Sequence, residues 1–409
     1  MGKIESIKSY DGQVLDNIFF RPMLTGKSAE ELGIKVMYNV PIPTTLHFWK
    51  RNGDVLKKYK SGTWSGGAPA TKYQKTIKLD KVKAEMAYSA DDYFSTVYEL
   101  ITCRPDVNLD DLSGTELEEA ETSLFRASIA ESIRATMWYG DAEREGGLGT
   151  FDGFVKRICA DVNGGSEMAQ VAFSPQVDDY EWAEELLKRM WDNSSEELRA
   201  LRSEGNLAFF VSSDIYNTYE ESLNAVAIEA AYLAKQAGRE GLYYRGIPLV
   251  DVQMNSYNEM AANLPHSFAI LTDRRNLALA VNTSDFPGTE VRMWYNPDQM
   301  ENRQRAIFMA GCDYLMPELV TFAVGIPLKD LWSNFDNGSF VIQAEVAEEE
   351  AWIRELKLYA NNSYGELEID GENVDMSEGI VDESFSLSSF SKAWLEVVTT
   401  DGYTFKYDL

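Results

Sequence analysis

Histidine is nearly missing from this chain: His47 and His266 are the only two in 409 residues, and they are far apart. Nucleophilic sites of the Ser-His-Asp or Cys-His kind need a positioned base, so each lone histidine reads as a structural group. Cysteine is scarce as well. Cys103, Cys159 and Cys312 are widely spaced and form no CxxC, which argues against a disulfide framework and for buried thiols. So few histidines and cysteines also exclude a zinc site. A Walker phosphate loop, H-E-x-x-H and G-x-S-x-G are all absent. No catalytic residue, no metal and no cofactor is therefore expected. No stretch approaches the roughly 18 consecutive apolar residues of a membrane span, and no membrane partner is expected. The opening MGKIESIKSY has no apolar signal segment, and its fit to the myristoylation pattern is read as chance. The expectation is a soluble chain made in a cytoplasm. Positive charge is scarce too: the net charge is −28, and a sequence-specific nucleic-acid reader would carry a basic footprint.

The charge that is present is unevenly spread. Residues 50–83 carry ten bases (Lys50, Arg51, Lys57, Lys58, Lys60, Lys72, Lys75, Lys78, Lys81 and Lys83) against Asp54 and Asp80. Residues 330–409 carry eighteen acids and only Arg354, Lys357, Lys392 and Lys406. Residues 110–121 hold six acids and no base. Such asymmetry marks segments with different surroundings. The acidic stretch Asp370-Gly371-Glu372-Asn373-Val374-Asp375 reads as a solvated turn, since its spacing misses the helix-loop-helix calcium pattern. Arg274 and Arg275 beside Asp273 read as a helix start with local ion pairs, or as a phosphate or inter-subunit contact.

Residues 1–44 read as an arm. Pro22, Pro41 and Pro43 break regular structure, and the apolar groups between them must lie on another surface. Residues 45–88 read as a long hairpin. TLHFWK and VLKKYK flank the turn signal Asn52-Gly53, SGTWSGGAPA forms a tip, and TKYQKTIKLDKVKAEMAY returns. A ribbon this polar has little core of its own. The spacing predicts a helix over 115–139, with Phe125, Ile129, Ile133 and Met137 on one row and Leu117, Ala120, Leu124 and Ala127 on the next. Capping boxes precede it and Gly140 stops it. Helices are also expected near 179–191 and 214–235, the latter capped by Ser213. NLAFFVS, LYYRGIPLVDV, SFAILTD, VRMWYN, RQRAIFMAGCDYLM and ELVTFAV read as strands, with RRNLALAV as a short helix. Beyond about Leu328, FVIQAEV, IRELKLYA, GELEID, SFSLSSF and AWLEVVT read as a small β-sandwich. The whole is α+β.

The order of these parts resembles the Hong Kong 97 fold of tailed-bacteriophage major capsid proteins. The residues carrying the resemblance are Gly140, Asp141, Phe151, Asp152 and Gly153 after the long helix, Tyr244–Val250 (YRGIPLV), and Leu271–Leu277 (LTDRRNL). Their order and spacing fit over about 45–325; the C-terminal 80 or so residues do not. The resemblance implies an N-terminal arm (1–44), an E-loop (45–88), a P domain (89–204) with its spine helix (115–139), an A domain (205–300), return strands to the P domain (301–329), and an added acidic β-domain (330–409).

It also implies a non-enzymatic shell subunit. Copies of the chain would form hexamers and pentamers, and these would close into an icosahedral head around double-stranded DNA held without sequence specificity. A scaffold protein, a portal and decoration proteins would be its other partners. Its place would be the virion, after assembly in a bacterial cytoplasm. The arm begins almost at Met1, so a separate scaffold and a full-length mature subunit are expected. The Lys–Asn cross-link of the founding member finds no matching residues here. In the family the E-loop lies across a neighbouring subunit. The expected inter-subunit contacts are therefore Lys57, Lys58, Lys60, Lys72, Lys75 and Lys78, with Trp64 at the tip, against the acidic spine start at Glu116, Glu118 and Glu119. Two other readings stay open: an encapsulin-like nanocompartment shell, and a cytosolic enzyme or binding protein with a β-sandwich appendage.

Overall fold

The computed structural model describes residues 27–40, 44–50, 71–89, 116–176, 179–226, 241–261, 263–283, 291–326, 328–346, 353–376 and 379–409. Strand β1 (Lys35–Met37) pairs in parallel with a later strand, and Ala29, Leu32, Ile34 and Val40 around it are buried. This part of the expected arm thus lies on the chain's own body. Among the described residues, strands β2 (Thr44–Lys50) and β3 (Thr71–Ile77) pair only with each other, from Thr44↔Ile77 to Lys50↔Thr71. The Asn52-Gly53 turn, VLKKYK and the tip lie outside the described residues. The ribbon is shorter than expected, because β4 (Asp80–Ser89) leaves it to join the body. The reason is its pattern: Val82 and Tyr88 are buried and Ala84 and Met86 half-buried, while Lys81, Lys83 and Glu85 are exposed. That period of two gives β4 an apolar face the body can cover.

Helix α1 (Glu116–Tyr139) matches the expected long helix, and Phe125, Ile129, Ile133 and Met137 are buried as its row predicts. Twenty-four residues at 1.5 Å each make it about 36 Å long. Its proposed capping boxes lie outside the described residues. Next come α2 (Phe154–Asn163), β5 (Ala169–Phe173), α3 (Glu181–Asn193), α4 (Glu196–Ala200), β6 (Leu207–Val211) and α5 (Ser213–Val226). Ser213 does not cap α5 as expected. It is already the first helical residue, and its hydroxyl donates to Asp251 Oδ1 at 2.8 Å, while the Ser212 carbonyl accepts the first helical N–H from Tyr216. Residues 227–240, where the helix was expected to continue, lie outside the described residues.

Strands β7 (Tyr243–Tyr244) and β8 (Ile247–Asp251) turn at Arg245 (φ 51°) and Gly246 (φ 82°). Positive φ at both central residues is the type I′ hairpin. Strands β9 (Phe268–Asp273) and β10 (Leu277–Val281) follow, so the expected helix at RRNLALAV is wrong. Only Arg274–Asn276 make a single 3₁₀ turn, and Leu277 to Val281 are all buried. A strand covered on both faces shows no alternation, which is why its apolar run was misread.

Strands β11 (Arg292–Asn296), β12 (Glu301–Tyr314) and β13 (Val320–Gly325) complete the body. They do not close one sheet together. β12 pairs with β4 on one side and with β10 and β11 on the other, in a five-stranded sheet that β1 extends. β13 sits in a second sheet of six, ordered β5-β13-β9-β6-β8-β7. One face of that sheet packs on α3 and α5 through Leu186, Leu187, Met190 and Ile215. The other meets Trp138 of α1 and Phe154 of α2 through Phe210 and Phe268.

The C-terminal region holds seven strands: β14 (Leu328–Asp336), β15 (Ser339–Val346), β16 (Ile353–Asn361), β17 (Leu367–Asn373), β18 (Ile380–Ser386), β19 (Lys392–Thr399) and β20 (Thr404–Asp408). They form sheets ordered β14-β15-β18 and β17-β16-β19-β20. Phe340, Ile342 and Val381 of the first and Leu358, Leu395 and Val397 of the second share one buried cluster. The expected acidic turn at 370–375 is mostly the edge strand β17, with Gly371 (φ 72°) left unpaired in a bulge opposite Leu358 and Tyr359. The region is also less separate than expected. Its cluster is continuous with that of the body, Phe405 packs on Phe322 at 6.4 Å, and the Thr404 amide donates to Asn163 Oδ1 at 2.5 Å.

Candidate functional site

The ribbon leaves the body beside a half-buried charge cluster. Ile77 and Leu79, at the end of β3 and just beyond it, are buried against Ala278 and Ala280 of β10. That packing carries Lys75 inward. Its Nζ lies 2.9 Å from Asp313 Oδ1 and 4.0 Å from the centre of the Tyr314 ring. Arg157 of α2 approaches the other Asp313 oxygen at 3.5 Å, and the Tyr314 hydroxyl donates to Asp161. Burial pushes the Asp313 carboxyl above its ordinary range, against the opposing pull of Lys75 and Arg157. Asp161 is raised as well, again chiefly by burial. The root is therefore a compact group of two bases and two acids joining β3, α2 and the end of β12.

A second knot sits at the far end of α1. Gly140 and Gly153 lie where two stretches of backbone meet: a Cβ on Gly140 would stand 2.2 Å from the Phe151 carbonyl oxygen, and one on Gly153 2.6 Å from the Gly140 nitrogen. Gly140 follows the last helical residue, as expected of the stop, and is also needed for this close approach. The crossing brings Asp141 and Asp152 to Lys156, which pairs with both, at 3.1 Å to Asp152. The side-chain nitrogen of Asn263 donates to Asp141 Oδ2 and Asp401 Oδ2, each at 2.9 Å. Burial acts to raise the Asp141 carboxyl, but the bonds from Lys156, the Glu143 amide and Asn263 outweigh it, and the carboxyl is held below its ordinary range. Further along α1, Arg134 and Glu131 form a buried pair, and Arg134 donates to the Val252 carbonyl at 2.7 Å. The long helix is therefore bolted to the six-stranded sheet's loops through its last third and to the C-terminal region at its end.

The expected contact residues fall into three groups. Lys57, Lys58, Lys60 and Trp64 lie outside the described residues. Lys72 takes its place on β3 opposite Trp49, and Glu116, Glu118 and Glu119 occupy the first turn of α1; their side chains are outside the described part. Lys75 and Lys78 are fully placed. Lys75 departs from expectation, because Asp313 of its own chain, 5% exposed, takes its charge. Lys78 stays exposed, 3.2 Å from Asp80. Arg275 binds Asp273 and Glu204, both at 2.6 Å, which is the local ion-pair reading of that stretch.

Sequence reasoning missed Asp313, Arg157 and Asp161. Nothing in the sequence joins Lys75 to a residue more than two hundred positions later. Lys156 could have been found, since it follows Asp152 by four residues, the spacing of helical ion pairs. Cys159 and Cys312 are buried free thiols, as expected, and burial pushes both up in pKa. Among the described residues no group of three or more His, Cys, Asp or Glu could hold a metal. No described helix is long and apolar enough to cross a membrane.

No protein-family model matches the sequence, and no curated protein matches it. Among solved structures, the chain is similar to one from the satellite phage P4 procapsid with its size determination (Sid) protein. The TM-score is 0.47 at 11% identity, over 78% of this chain and 92% of that one. It is similar to one from the capsid of Myoviridae phage XM1, with a TM-score of 0.46 at 11% identity, over 78% and 99%. A chain from the capsid of cyanophage P-SCSP1u gives 0.45 at 10% identity, over 78% and 93%.

Proposed function

We propose that this chain is the major capsid protein of a tailed bacteriophage, with the Hong Kong 97 type arrangement, and that copies of it build the head shell. The observation that carries the reading is the two-stranded ribbon β2–β3. Among the described residues it pairs with no other strand, and it is fixed at its root by Lys75, Ile77 and Leu79. Isolated two-stranded ribbons are marginal in water, so this one is built to rest on another molecule. The long helix α1 and the two body sheets supply a stiff frame from which it projects. Hexamers and pentamers of the chain enclose double-stranded DNA, with a scaffold, a portal and decoration proteins as further partners, and assembly takes place in the host cytoplasm. The chain is a structural protein, not an enzyme.

The ribbon's neighbour contact is electrostatic in this reading. Lys57, Lys58, Lys60, Lys72 and Lys78 face the acidic spine start of an adjacent copy, Glu116, Glu118 and Glu119, with Trp64 as anchor. The support is the sequence charge of the two segments. Electron microscopy of the expressed chain, alone and with a scaffold, tests the function: closed shells are expected, and a monodisperse monomer at every concentration would refute it. Reversing Lys57, Lys58 and Lys60 to Glu tests the contact. Assembly should fail at low salt and return when Glu116, Glu118 and Glu119 are reversed in the same chain.

A further inference from the structure

Two sheet faces are left uncovered among the described residues of the single subunit, and they are opposite in net charge. The first belongs to β4, β12 and β11. Register places Lys83 beside Ile307, Glu85 beside Arg305, Arg305 beside Arg292, and Arg303 beside Trp294. With Lys81 and Glu301 the face carries five bases against two acids, in a protein of net charge −28. Trp294 and Ile307 stand exposed among them, at 38% and 41%, and Arg305 lies over the Trp294 ring at 5.7 Å.

The second face belongs to β14, β15 and β18. Register aligns Trp332, Gln343 and Asp382 in one row and Lys329, Glu345 and Ile380 in another. With Asp336 it carries three acids against one base, and Trp332 and Ile380 are exposed at 50% and 66%. Each face thus carries a net charge of one sign around a tryptophan and an isoleucine, positive on the first and negative on the second.

We propose that these faces bind each other between copies: the β4–β12–β11 face of one subunit takes the β14–β15–β18 face of the next. The inference rests on the shell reading above and adds a contact made by the C-terminal region. Charge complementarity selects the second copy as occupant. Apolar anchors inside a charged rim are the anatomy of a protein interface. A nucleic-acid backbone would gain nothing from Ile307 and would be repelled by Glu85 and Glu301. The two patches differ, so the contact is head to tail, and a contact of that kind generates rings where its rotation closes.

The experiment is zero-length cross-linking of amines to carboxylates on the concentrated full-length chain at low salt. Joined peptides are read by mass spectrometry, and shells are counted by electron microscopy on the same sample. A link between Lys81 or Lys83 and Glu345 or Asp382 of another copy is expected. Its yield should fall more than tenfold in K81E/R292E and in E345K/D382K, and recover when all four changes share one chain. Subunit melting should be unchanged in all three. Shells without the link overturn this inference and leave the shell reading standing. The link without shells, both alone and with a scaffold, supports the contact and overturns the shell reading. Loss of the link in both double variants without recovery in the combined one overturns the pairing. So does retention of random-sequence duplex DNA through Lys81 and Arg292 when the link is absent; that outcome would assign the basic face to a polyanion.

Discussion

Gly153 touches backbone on three sides. A methyl group there would lie 2.6 Å from both the Gly140 nitrogen and the Trp138 oxygen. Neither atom is the end of a flexible side chain, so Gly153→Ala must move the end of α1 against α2. Forced overpacking of this kind costs about 1–3 kcal/mol. A fall in the thermal midpoint of the subunit is expected, and an unchanged midpoint would refute the crossing. Asp141, one residue beyond Gly140, makes a prediction in pH. Its carboxyl is held below the ordinary 3.8. A group depressed in the folded state contributes stability above its unfolded pKa and loses it as pH falls through the folded one. Asp141→Asn should therefore be less stable than the parent near neutrality, by about 1–3 kcal/mol as a buried bond is lost. The gap should narrow as pH falls below about 5 and close as pH passes through the depressed folded value. A gap independent of pH would mean that Asp141 acts by shape alone. Much of this knot was legible in the sequence, because Gly140, Asp141, Phe151, Asp152 and Gly153 stand close together. Asn263 and Asp401 were not, since only the fold brings distant loops to that place.

At the scale of elements, what could be read depended on whether a pattern was local. Helix α1 announces itself through rows of apolar residues three and four apart, and its ends fall within a residue of the expected ones. Strand β10 did not, because burial on both faces removes the alternation that marks a strand. Strand β4 was assigned to the ribbon, although its own period of two already pointed to a covered face. The join between ribbon and body was the least legible of all. It depends on Lys75 meeting Asp313, a partner supplied by tertiary structure. Lys75→Met tests that join. It removes the nearer partner of a buried carboxylate and leaves Arg157 at 3.5 Å. Breaking a buried pair costs roughly 3–5 kcal/mol. Lys75 is 26% exposed, so solvent screening reduces the expectation to about 1–2 kcal/mol. The loss should appear first at the ribbon: amide exchange in β3 should speed up well before that in β6. Uniform acceleration in both strands would show that Lys75 supports the whole body and not the ribbon's root.

On the scale of the whole molecule, the question is whether the acidic C-terminal region is an appendage or part of the frame. Composition suggested an appendage, since half of the net negative charge is concentrated there. Charge, however, reports on surfaces and says little about what is packed beneath them. The contacts argue for the frame. Phe405 of β20 is fully buried and meets Phe322 of β13, a strand paired on both sides within the six-stranded sheet. Asp401 shares Asn263 with Asp141, and Asn163 of α2 accepts from the Thr404 amide. A region tied into the main core by an aromatic contact and a polar knot should unfold with that core. Calorimetry of the free subunit should then show one transition. Phe405→Ala, which removes a fully buried ring at a typical cost of about 3–5 kcal/mol, should lower that single transition without splitting it. A separate early transition that alone shifts with Phe405→Ala would make the region an independent module. The hairpin turn at Asn337 and Gly338 gives a second readout, because it is exposed in the free subunit. A protease cut there should leave the two pieces bound and melting together, held by β20 against the body. Pieces that separate on a sizing column after the cut would place the stabilising contacts elsewhere.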